Sequence, residues 1–362
     1  MDGSAGLSVL DDADAIGAGD PSGALRAIAG WPSQVADALE AVAAADLEHA
    51  SPTSVLFCGM GGSAVGGDVL AAVARDHGRA PVVVQRSYGA PAWCGPDTFV
   101  IASSYSGETV ETLDAFRAAR DQGARGIAVT SGGTLAQEAR RAGWPVIGPD
   151  AGLMPRYALG WLVTAPVAAA VRARLLDLPG GWADGLAAHL ADGVRRWGPE
   201  AIAQDNVAKS LAHELVGALP VVWGGDGVSA AAAYRWKTEL NENAKVPAVA
   251  ASLPELDHNE IVAWAPEGAQ GRPVPKRVLV LLREAGESER IAARFDSTAA
   301  EVSASFDLVY TATGHGPQPL GPFFELALLG GFVSVYLAIL RGVDPTPIES
   351  ISRLRAALAH LG

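Results

Sequence analysis

The chain has 362 residues, of which 49% are hydrophobic and 19% charged, an ordinary globular composition with enough length for two domains. Its formal net charge of −13 argues against a nucleic-acid partner, because such a partner requires a basic face. An anionic ligand must therefore be held by local donors rather than drawn in by the overall field.

Three features of the sequence indicate the cellular compartment of the protein. Cys58 and Cys94 are too few for a disulfide framework and fit a reducing cytosol. Residues 1–25 lack the basic and apolar regions of a signal peptide, and we expect a loose segment there. The apolar stretches Ala158–Val171 and Leu326–Leu340 are shorter than the ~20 residues that a bilayer span needs. We expect them to be buried helices of a cytoplasmic protein with no membrane partner.

Strand-like and helix-like runs alternate through the first half of the chain. The predicted strands are Val55–Cys58, Pro81–Gln85, Phe99–Ser103, Gly126–Thr130 and Pro145–Ile147. The predicted helices between them include Asp68–Arg75, Val110–Gln122 and Thr134–Ala142. This alternation indicates parallel β-α-β units with helices on both faces of a sheet.

The same theme returns after a predicted linker that begins at Pro179-Gly180-Gly181. The predicted elements there are a helix over Ile202–Ala218, strands over Leu219–Trp223, Arg277–Leu282 and Phe306–Thr311, and a helix from Val228. We therefore predict an α/β protein with two doubly wound parallel-sheet domains in tandem. Their predicted bounds are 26–185 and 186–362.

Two glycine- and hydroxyl-rich loops each follow an apolar strand and precede a helix. They read Gly59-Met60-Gly61-Gly62-Ser63 and Ser103-Ser104-Tyr105-Ser106-Gly107-Glu108-Thr109. The start of a helix has unsatisfied N–H groups and the positive end of the dipole, so each loop is suited to an anion. One such turn is common in any α/β protein, but two in succession favour a phosphate site.

The second half has a related turn, Gly224-Gly225-Asp226-Gly227, which lacks the paired serines. Its aspartate would repel a phosphate. We therefore predict that the phosphate site belongs to the first domain and that the second domain supplies other chemistry.

A carboxylate and a histidine in the second half are candidates for proton transfer. Glu242 lies in the polar segment 235–245, and His258 follows it sixteen residues later. The alternative is a solvated helix end with Glu242 paired to Lys245, and spacing alone does not separate the two. Arg156 can stabilise an oxyanion, although an arginine in this setting is more often a surface residue.

The sequence offers little support for a metal or cofactor. The histidines other than His258 are scattered without metal-ligand spacing, and no Cys/His cluster occurs. Neither loop ends in the Gly-Lys-Ser/Thr of a P-loop, and the first has no acidic partner at the dinucleotide-binding distance. We expect no metal, no ATP and no NAD.

Together these motifs resemble those of the bifunctional phosphoglucose/phosphomannose isomerases, which have two sugar isomerase (SIS) domains per subunit. The resemblance rests on the two loops and on Asn241-Glu242-Asn243-Ala244-Lys245, Asp257-His258-Asn259-Glu260 and Asp344-Pro345-Thr346-Pro347. It covers nearly the whole chain after the N-terminal segment. It implies two SIS domains in tandem, a homodimer with shared active sites and metal-independent catalysis.

The resemblance also implies a role for each candidate residue. The phosphate-binding residues would be Gly62, Ser63, Ser104, Ser106 and Thr109. Glu242 would shuttle a proton between C2 and C1 of a hexose 6-phosphate, through a cis-enediolate that Arg156 stabilises. His258, from the other subunit, would assist ring opening. The implied sugars are glucose 6-phosphate and mannose 6-phosphate, each interconverted with fructose 6-phosphate.

One position departs from the family pattern. Where the family has a lysine in its C-terminal helix, this chain has Arg355, which keeps the charge but does not readily release a proton. Two other functions stay open: a sugar-phosphate-binding protein without turnover, and a different SIS enzyme such as an aminosugar phosphate isomerase. The motifs around Glu242 and His258 count against the latter.

Overall fold

The computed structural model describes residues 7–47, 52–265 and 275–358. The chain forms two compact units. The N-terminal unit is Gly30–Ala187, and the C-terminal unit joins Met1–Ala29 to Ala188–Leu361. Each unit has a parallel sheet flanked by helices, so the predicted fold class is confirmed.

The strands are β1 (Ser54–Gly59), β2 (Val82–Gln85), β3 (Thr98–Ser103), β4 (Arg125–Val129), β5 (Val146–Ile147), β6 (Leu219–Gly224), β7 (Val249–Ser252), β8 (Arg277–Glu284) and β9 (Leu308–Gly314). The helices of the N-terminal unit are α3 (Trp31–Ala44), α4 (Val65–His77), α5 (Val110–Asp121), α6 (Gly133–Arg141) and α7 (Leu159–Arg172). The other helices are α1 (Ala13–Gly19), α2 (Ala24–Ala29), α8 (Leu186–Trp197), α9 (Val207–Glu214), α10 (Val228–Glu242), α11 (Ile261–Trp264), α12 (Glu289–Val302), α13 (Gly321–Leu340) and α14 (Glu349–Leu358).

The sheet of the N-terminal unit has the order β2-β1-β3-β4-β5. In its register Gly59, the last residue of β1, lies opposite Ser103, the last residue of β3. The two glycine- and hydroxyl-rich loops therefore leave neighbouring strands at the same edge, the carboxyl edge where parallel sheets bind ligands. All five strands end within one residue of the predicted bounds.

The core of this unit explains why its central strands read as unbroken apolar runs. Strand β3 is buried along its whole length, as expected for a parallel strand covered on both faces. On one face, Phe116 meets Trp144 edge to face, with ring centroids 4.9 Å apart. Cys58 is fully buried, and burial raises the pKa of its thiol to about 12. That thiol is therefore a packing group rather than a nucleophile.

The sheet of the C-terminal unit has the order β7-β6-β8-β9. Strand β7 was not among the predicted strands, because its four residues, Val-Ala-Ala-Ser, form a short edge strand without a strong apolar run. Helix α9 is shorter than the predicted helix Ile202–Ala218. The Asn206 side chain accepts the N–H groups of Ala208 and Lys209 at 3.0 and 3.3 Å, and this cap sets the start of the helix.

The prediction of a loose segment over residues 1–25 is wrong for the part that the structure describes, residues 7–25. Leu10 is fully buried in the C-terminal unit, and the Asp20 carboxylate caps α2 by accepting the N–H of Ala24 at 2.8 Å. Asp11 accepts a hydrogen bond at 3.1 Å from Lys209, whose side chain is 1% exposed. A buried ammonium needs such a partner, so the segment belongs to the core of this unit.

The apolar stretches form α7 and α13. Helix α13 has 20 residues, longer than predicted, and is the one helix in the described ranges that is long and apolar enough to cross a membrane. In its most apolar 18-residue window, 94% of the residues are buried inside the structure, as expected of a core helix. Both stretches are therefore buried helices, as the sequence predicted.

Candidate active site

The first loop of the candidate site leads from β1 through a short 3₁₀ turn, Gly61–Ala64, into α4. Gly61 has a φ of +51°, a conformation that favours glycine. A Cβ on Gly62 would lie 3.4 Å from the backbone of Arg156, so this loop packs directly against the Arg156 segment. Ser63 is buried, and its hydroxyl accepts the N–H of Tyr105 at 3.2 Å. This bond joins the first loop to the second.

The second loop turns sharply at Gly107, which has a φ of +71°. A Cβ there would lie 2.0 Å from the carbonyl oxygen of Gly132, so only glycine fits. Ser104 is buried and donates to the Thr109 hydroxyl at 2.9 Å. Ser106 is exposed, and its hydroxyl accepts the N–H of Glu108 at 3.2 Å. We call these two loops, residues 59–63 and 103–109, the cradle.

Glu108 has a role that the sequence analysis did not assign. Its carboxylate accepts the N–H of Thr134 at 2.7 Å and the Thr134 hydroxyl at 2.9 Å. Thr134 lies in the first turn of α6, so Glu108 satisfies a donor at the start of that helix. This contact spans 26 residues of sequence, which is why no local pattern indicated it.

Arg156 is buried, with 2% of its surface exposed. The alternative that it is a surface residue is therefore wrong. Arg156 lies in a 3₁₀ turn, Pro155–Tyr157, and its guanidinium stands 4.7 Å from the centroid of the Tyr157 ring. Just before this turn, the Leu153 N–H donates to the hydroxyl of Tyr105 at 2.7 Å. The structure thus brings Arg156 and the cradle together in the N-terminal unit.

Asp68 is the acidic residue nearest to the cradle on α4. Arg86 pairs with its carboxylate at 2.5 Å. Burial nevertheless raises the pKa of Asp68 above its ordinary value, against the opposing effect of that arginine.

Glu242 is the last residue of α10 and is half-buried. The turn after it is well fixed: the side-chain amide of Asn241 donates to the carbonyl of Val246 at 2.8 Å, and that of Asn243 donates to Ser334 at 2.9 Å. One turn earlier, the Glu239 carboxylate is fully buried and paired with Arg235 and Asn243. Glu239 is therefore a structural residue, and Glu242 is the carboxylate at the end of the helix.

His258 ends a 3₁₀ turn, Glu255–His258, and its side chain is exposed. Its neighbours in the Asp-His-Asn-Glu motif hold the fold. Asp257 accepts hydrogen bonds from Arg294 and Thr298, both at 2.7 Å, and Glu260 accepts the indole N–H of Trp264 at 2.9 Å. The motif thus fixes its own backbone and presents the imidazole outward from the C-terminal unit.

Arg355 is exposed on α14, a helix with no buried residue over its described range. The sequence-predicted residues therefore fall into two groups. Gly62, Ser63, Ser104, Ser106, Thr109 and Arg156 belong to the N-terminal unit, and Glu242, His258 and Arg355 belong to the C-terminal unit.

In the C-terminal unit, the loop after β6 leads into α10 as the first loop of the cradle leads from β1 into α4. A carboxylate of the protein occupies the start of α10. The Glu284 carboxylate accepts the N–H of Ser229 at 2.8 Å and its hydroxyl at 2.7 Å, in the first turn of α10. A Cβ on Gly227 would lie 2.7 Å from the same carboxylate. From the sequence, Asp226 is the residue predicted to exclude phosphate from this turn, whereas in the structure the Glu284 carboxylate fills the position.

No group of three His, Cys, Asp or Glu side chains that could hold a metal ion occurs in the ranges 7–47, 52–265 and 275–358. The donors that the cradle offers are N–H groups and hydroxyls, which suit the oxygens of a phosphate.

Residues 204–358 match the family model described as the bacterial phospho-glucose isomerase C-terminal SIS domain. The chain is 37% identical over 312 residues to a bifunctional phosphoglucose/phosphomannose isomerase of Caldicellulosiruptor bescii, covering 85% of this chain and 90% of that protein. A protein of the same name from Aquifex aeolicus is 31% identical over 306 residues, with coverages of 84% and 90%. The D-glucosamine-6-phosphate 4-epimerase of Sulfolobus acidocaldarius is 32% identical over 316 residues, with coverages of 85% and 90%.

Solved structures support the fold. The C-terminal domain of glucosamine-fructose-6-phosphate aminotransferase from Francisella tularensis has a TM-score of 0.69 at 15% identity, covering 90% of this chain and 98% of that one. A glucose-6-phosphate isomerase like protein from Thermus thermophilus has a TM-score of 0.56 at 19% identity, covering 93% and 97%. At these identities the likeness concerns the fold alone.

Proposed function

The chain belongs to the bifunctional phosphoglucose/phosphomannose isomerase family, and on that premise we propose that it interconverts glucose 6-phosphate and mannose 6-phosphate with fructose 6-phosphate. The observation that carries the proposal is the contact between the cradle and Arg156. Gly62 packs against the Arg156 backbone, so the residue that carries a buried permanent cation lies directly beside the first loop of the cradle. A binding protein would need the donors but not the enediolate-stabilising cation.

In the proposed reaction, the cradle binds the 6-phosphate through loop N–H groups and the hydroxyls of Ser63, Ser104, Ser106 and Thr109. Phosphate is an acceptor with several oxygens, and N–H groups at helix starts match it without a positive side chain in the loops. Binding this remote group fixes the position of the reacting carbons.

Glu242 is the proposed base. Its carboxylate takes the proton from C2 of the open-chain aldose and returns it to C1, while the O2 hydroxyl proton moves to O1 and leaves a ketone at C2. The intermediate is a cis-enediolate, whose negative charge Arg156 stabilises with planar, permanently charged donors. The reaction needs no oxidant, because the sugar is oxidised at C2 and reduced at C1.

Ring opening is assigned to His258 of the partner subunit in a cytoplasmic homodimer. Two observations support this assignment. The His258 imidazole is exposed on its own unit. Its neighbours Asp257 and Glu260 instead bond to Arg294 and Trp264 and so fix the backbone of the motif. Arg355 is proposed to steady negative charge on the sugar oxygens, a role for which a permanent cation suffices.

The test is an assay of the purified protein with glucose 6-phosphate and mannose 6-phosphate, each coupled to detection of fructose 6-phosphate. Glucosamine 6-phosphate is a third arm, because the chain is also 32% identical to a 4-epimerase of that sugar. Its product would be the C4 epimer rather than fructose 6-phosphate, so this arm is followed directly by NMR of the sugar. We expect turnover of the first two sugars, and none by a Glu242→Gln control. Tight binding of both without turnover would overturn the proposal in favour of a binding protein, and turnover of the aminosugar alone would favour the epimerase.

A further inference from the structure

Lys245 has a backbone conformation that its residue type does not favour. Its φ is +57°, in the left-handed region, where a residue with a side chain is strained relative to glycine. It stands three residues after Glu242, in the turn that follows α10. A glycine would adopt this conformation without strain, so the lysine occupies this position at a local cost.

The side chain of Lys245 connects two functional segments of the C-terminal unit. Its ammonium donates to the carbonyl oxygen of Glu242 and, at 3.2 Å, to that of Pro345. Pro345 is buried and belongs to the Asp-Pro-Thr-Pro segment, which leads into α14 and Arg355. The same turn receives a second bond, from Arg341 Nε to the Ala244 carbonyl at 3.1 Å.

The bonds to the carbonyls of Glu242 and Ala244 lie at the end of α10, where cations are favoured because of the dipole. Together they fix the end of α10 against the segment that follows α13. A misplacement of about 1 Å at a reacting group can cost on the order of a hundredfold in rate. The carboxylate of Glu242 is attached to the backbone that Lys245 holds.

We propose that Lys245 is a positioning residue, which holds the Glu242 backbone on the Pro345 segment and so sets the position of the catalytic carboxylate. This inference rests on the proposed function, in which Glu242 is the base. It assigns Lys245 no contact with the sugar.

The decisive variant is Lys245→Gly, because it relieves the backbone strain while it removes the ammonium. We expect an unchanged or higher Tm together with a kcat lower by on the order of tenfold or more, and a KM close to that of the wild type. Exchange of the C2 proton in heavy water should slow in parallel with kcat. Lys245→Arg, which can still donate to both carbonyls, should recover most of the rate.

The matched control is Arg174→Gly. Arg174 is the other non-glycine residue with a positive φ among the described residues, at +59°, and it is exposed at the end of α7 in the N-terminal unit. This change should raise or maintain Tm without affecting kcat. A Lys245→Gly enzyme with wild-type kcat, beside an active wild type, would overturn the inference and leave the proposed function intact.

An inactive wild type would overturn the proposed function but not this inference. A structural readout tests the inference in that case as well. In Lys245→Met, which keeps a side chain of similar length but has no donor, amide hydrogen exchange should rise at residues 242–246 and 343–347. Unchanged exchange in both segments would show that the lysine holds neither, and would overturn the inference.

Discussion

The hydroxyl of Ser104 donates to the hydroxyl of Thr109 at 2.9 Å and accepts the N–H of Gly107 at 3.2 Å. Ser104 is buried by these contacts, whereas Ser106, two residues on, is exposed and bonds to the N–H of Glu108. The two serines therefore differ: Ser104 shapes the loop, and Ser106 stands open to a ligand. Their substitutions should separate binding from folding.

We predict that Ser106→Ala raises KM for the sugar phosphate without lowering Tm, and that Ser104→Ala raises KM and lowers Tm. A lost hydrogen bond to a charged phosphate costs about 1.5–3 kcal/mol, or roughly ten- to hundredfold in affinity. In the double variant, binding should suffer more than the fold. Steady-state kinetics and thermal unfolding of the three variants check this, and a wild-type KM for the double variant would contradict the cradle.

Glu242→Gln should abolish isomerisation while the sugar phosphate still binds. The amide keeps the shape of the side chain but cannot accept the C2 proton. The measurement is deuterium incorporation at C2 in heavy water. Glu239→Gln is the contrasting variant: Glu239 is buried against Arg235, so its change should mainly lower the free energy of unfolding. Persistent exchange in Glu242→Gln would refute its role as the base.

At the C-terminal helix, we predict that Arg355→Lys changes kcat modestly and that Arg355→Ala lowers it strongly. Arginine stays charged at every accessible pH, so it can stabilise negative charge but cannot hand over a proton. Because Arg355 is exposed and α14 has no buried residue in its described part, neither change should alter Tm. Activity that the alanine variant fully retains would rule out a role for this cation.

Glu325, on α13, gives the C-terminal unit a pH dependence. Its carboxylate is 7% exposed and accepts hydrogen bonds at 2.6 Å from both Arg196 and the N–H of His315, while His189 lies 3.4 Å away. Burial alone would raise the pKa of Glu325, but the bonds from Arg196 and His315 bring it below its ordinary value. A carboxyl with a lowered pKa stabilises the fold above its unfolded-state pKa, and this stabilisation is lost as pH falls through the folded-state value.

Glu325→Gln should therefore lower the free energy of unfolding at neutral pH by about 1–3 kcal/mol, the range for a buried charged hydrogen bond. The difference from the wild type should shrink as the pH falls below the usual titration range of a glutamate. Denaturant unfolding at neutral and acidic pH measures it. A difference that stays constant across this range would mean that the charge of Glu325 contributes nothing.

The parts of the fold that sequence patterns predicted are those with long apolar runs. Strands such as β1 and β3 are buried on both faces, so their residues signal burial directly. Strand β7 has no such signal, because it is short and half-buried. The predicted helix Ile202–Ala218 is longer than α9, because the Asn206 side chain caps the helix and sets its start at Val207.

The candidate site was predictable where chemistry follows from local motifs and not where it depends on distant contacts. The cradle loops and the turn after Glu242 are contiguous in sequence. The bond from Glu108 to Thr134 spans 26 residues and that from Ser229 to Glu284 spans 55, so neither had a local signature. The contact between Gly62 and the Arg156 backbone likewise joins segments that are far apart in the chain.

The carboxylate of Glu284 at the start of α10 makes the two units differ in where the anion at the helix start comes from. In the C-terminal unit this helix start already has its anion, covalently attached and always present. In the N-terminal unit no carboxylate of the protein lies against the first loop of the cradle in the hydrogen bonds described above, and the proposed occupant is the substrate phosphate. Binding of that phosphate would stabilise the unit that holds it as the logarithm of ligand concentration. The same position at the end of the first strand thus serves two ends in one chain: in the C-terminal unit it is closed by a carboxylate that stabilises the fold permanently, and in the N-terminal unit it is left for a ligand whose supply would add to resistance to unfolding.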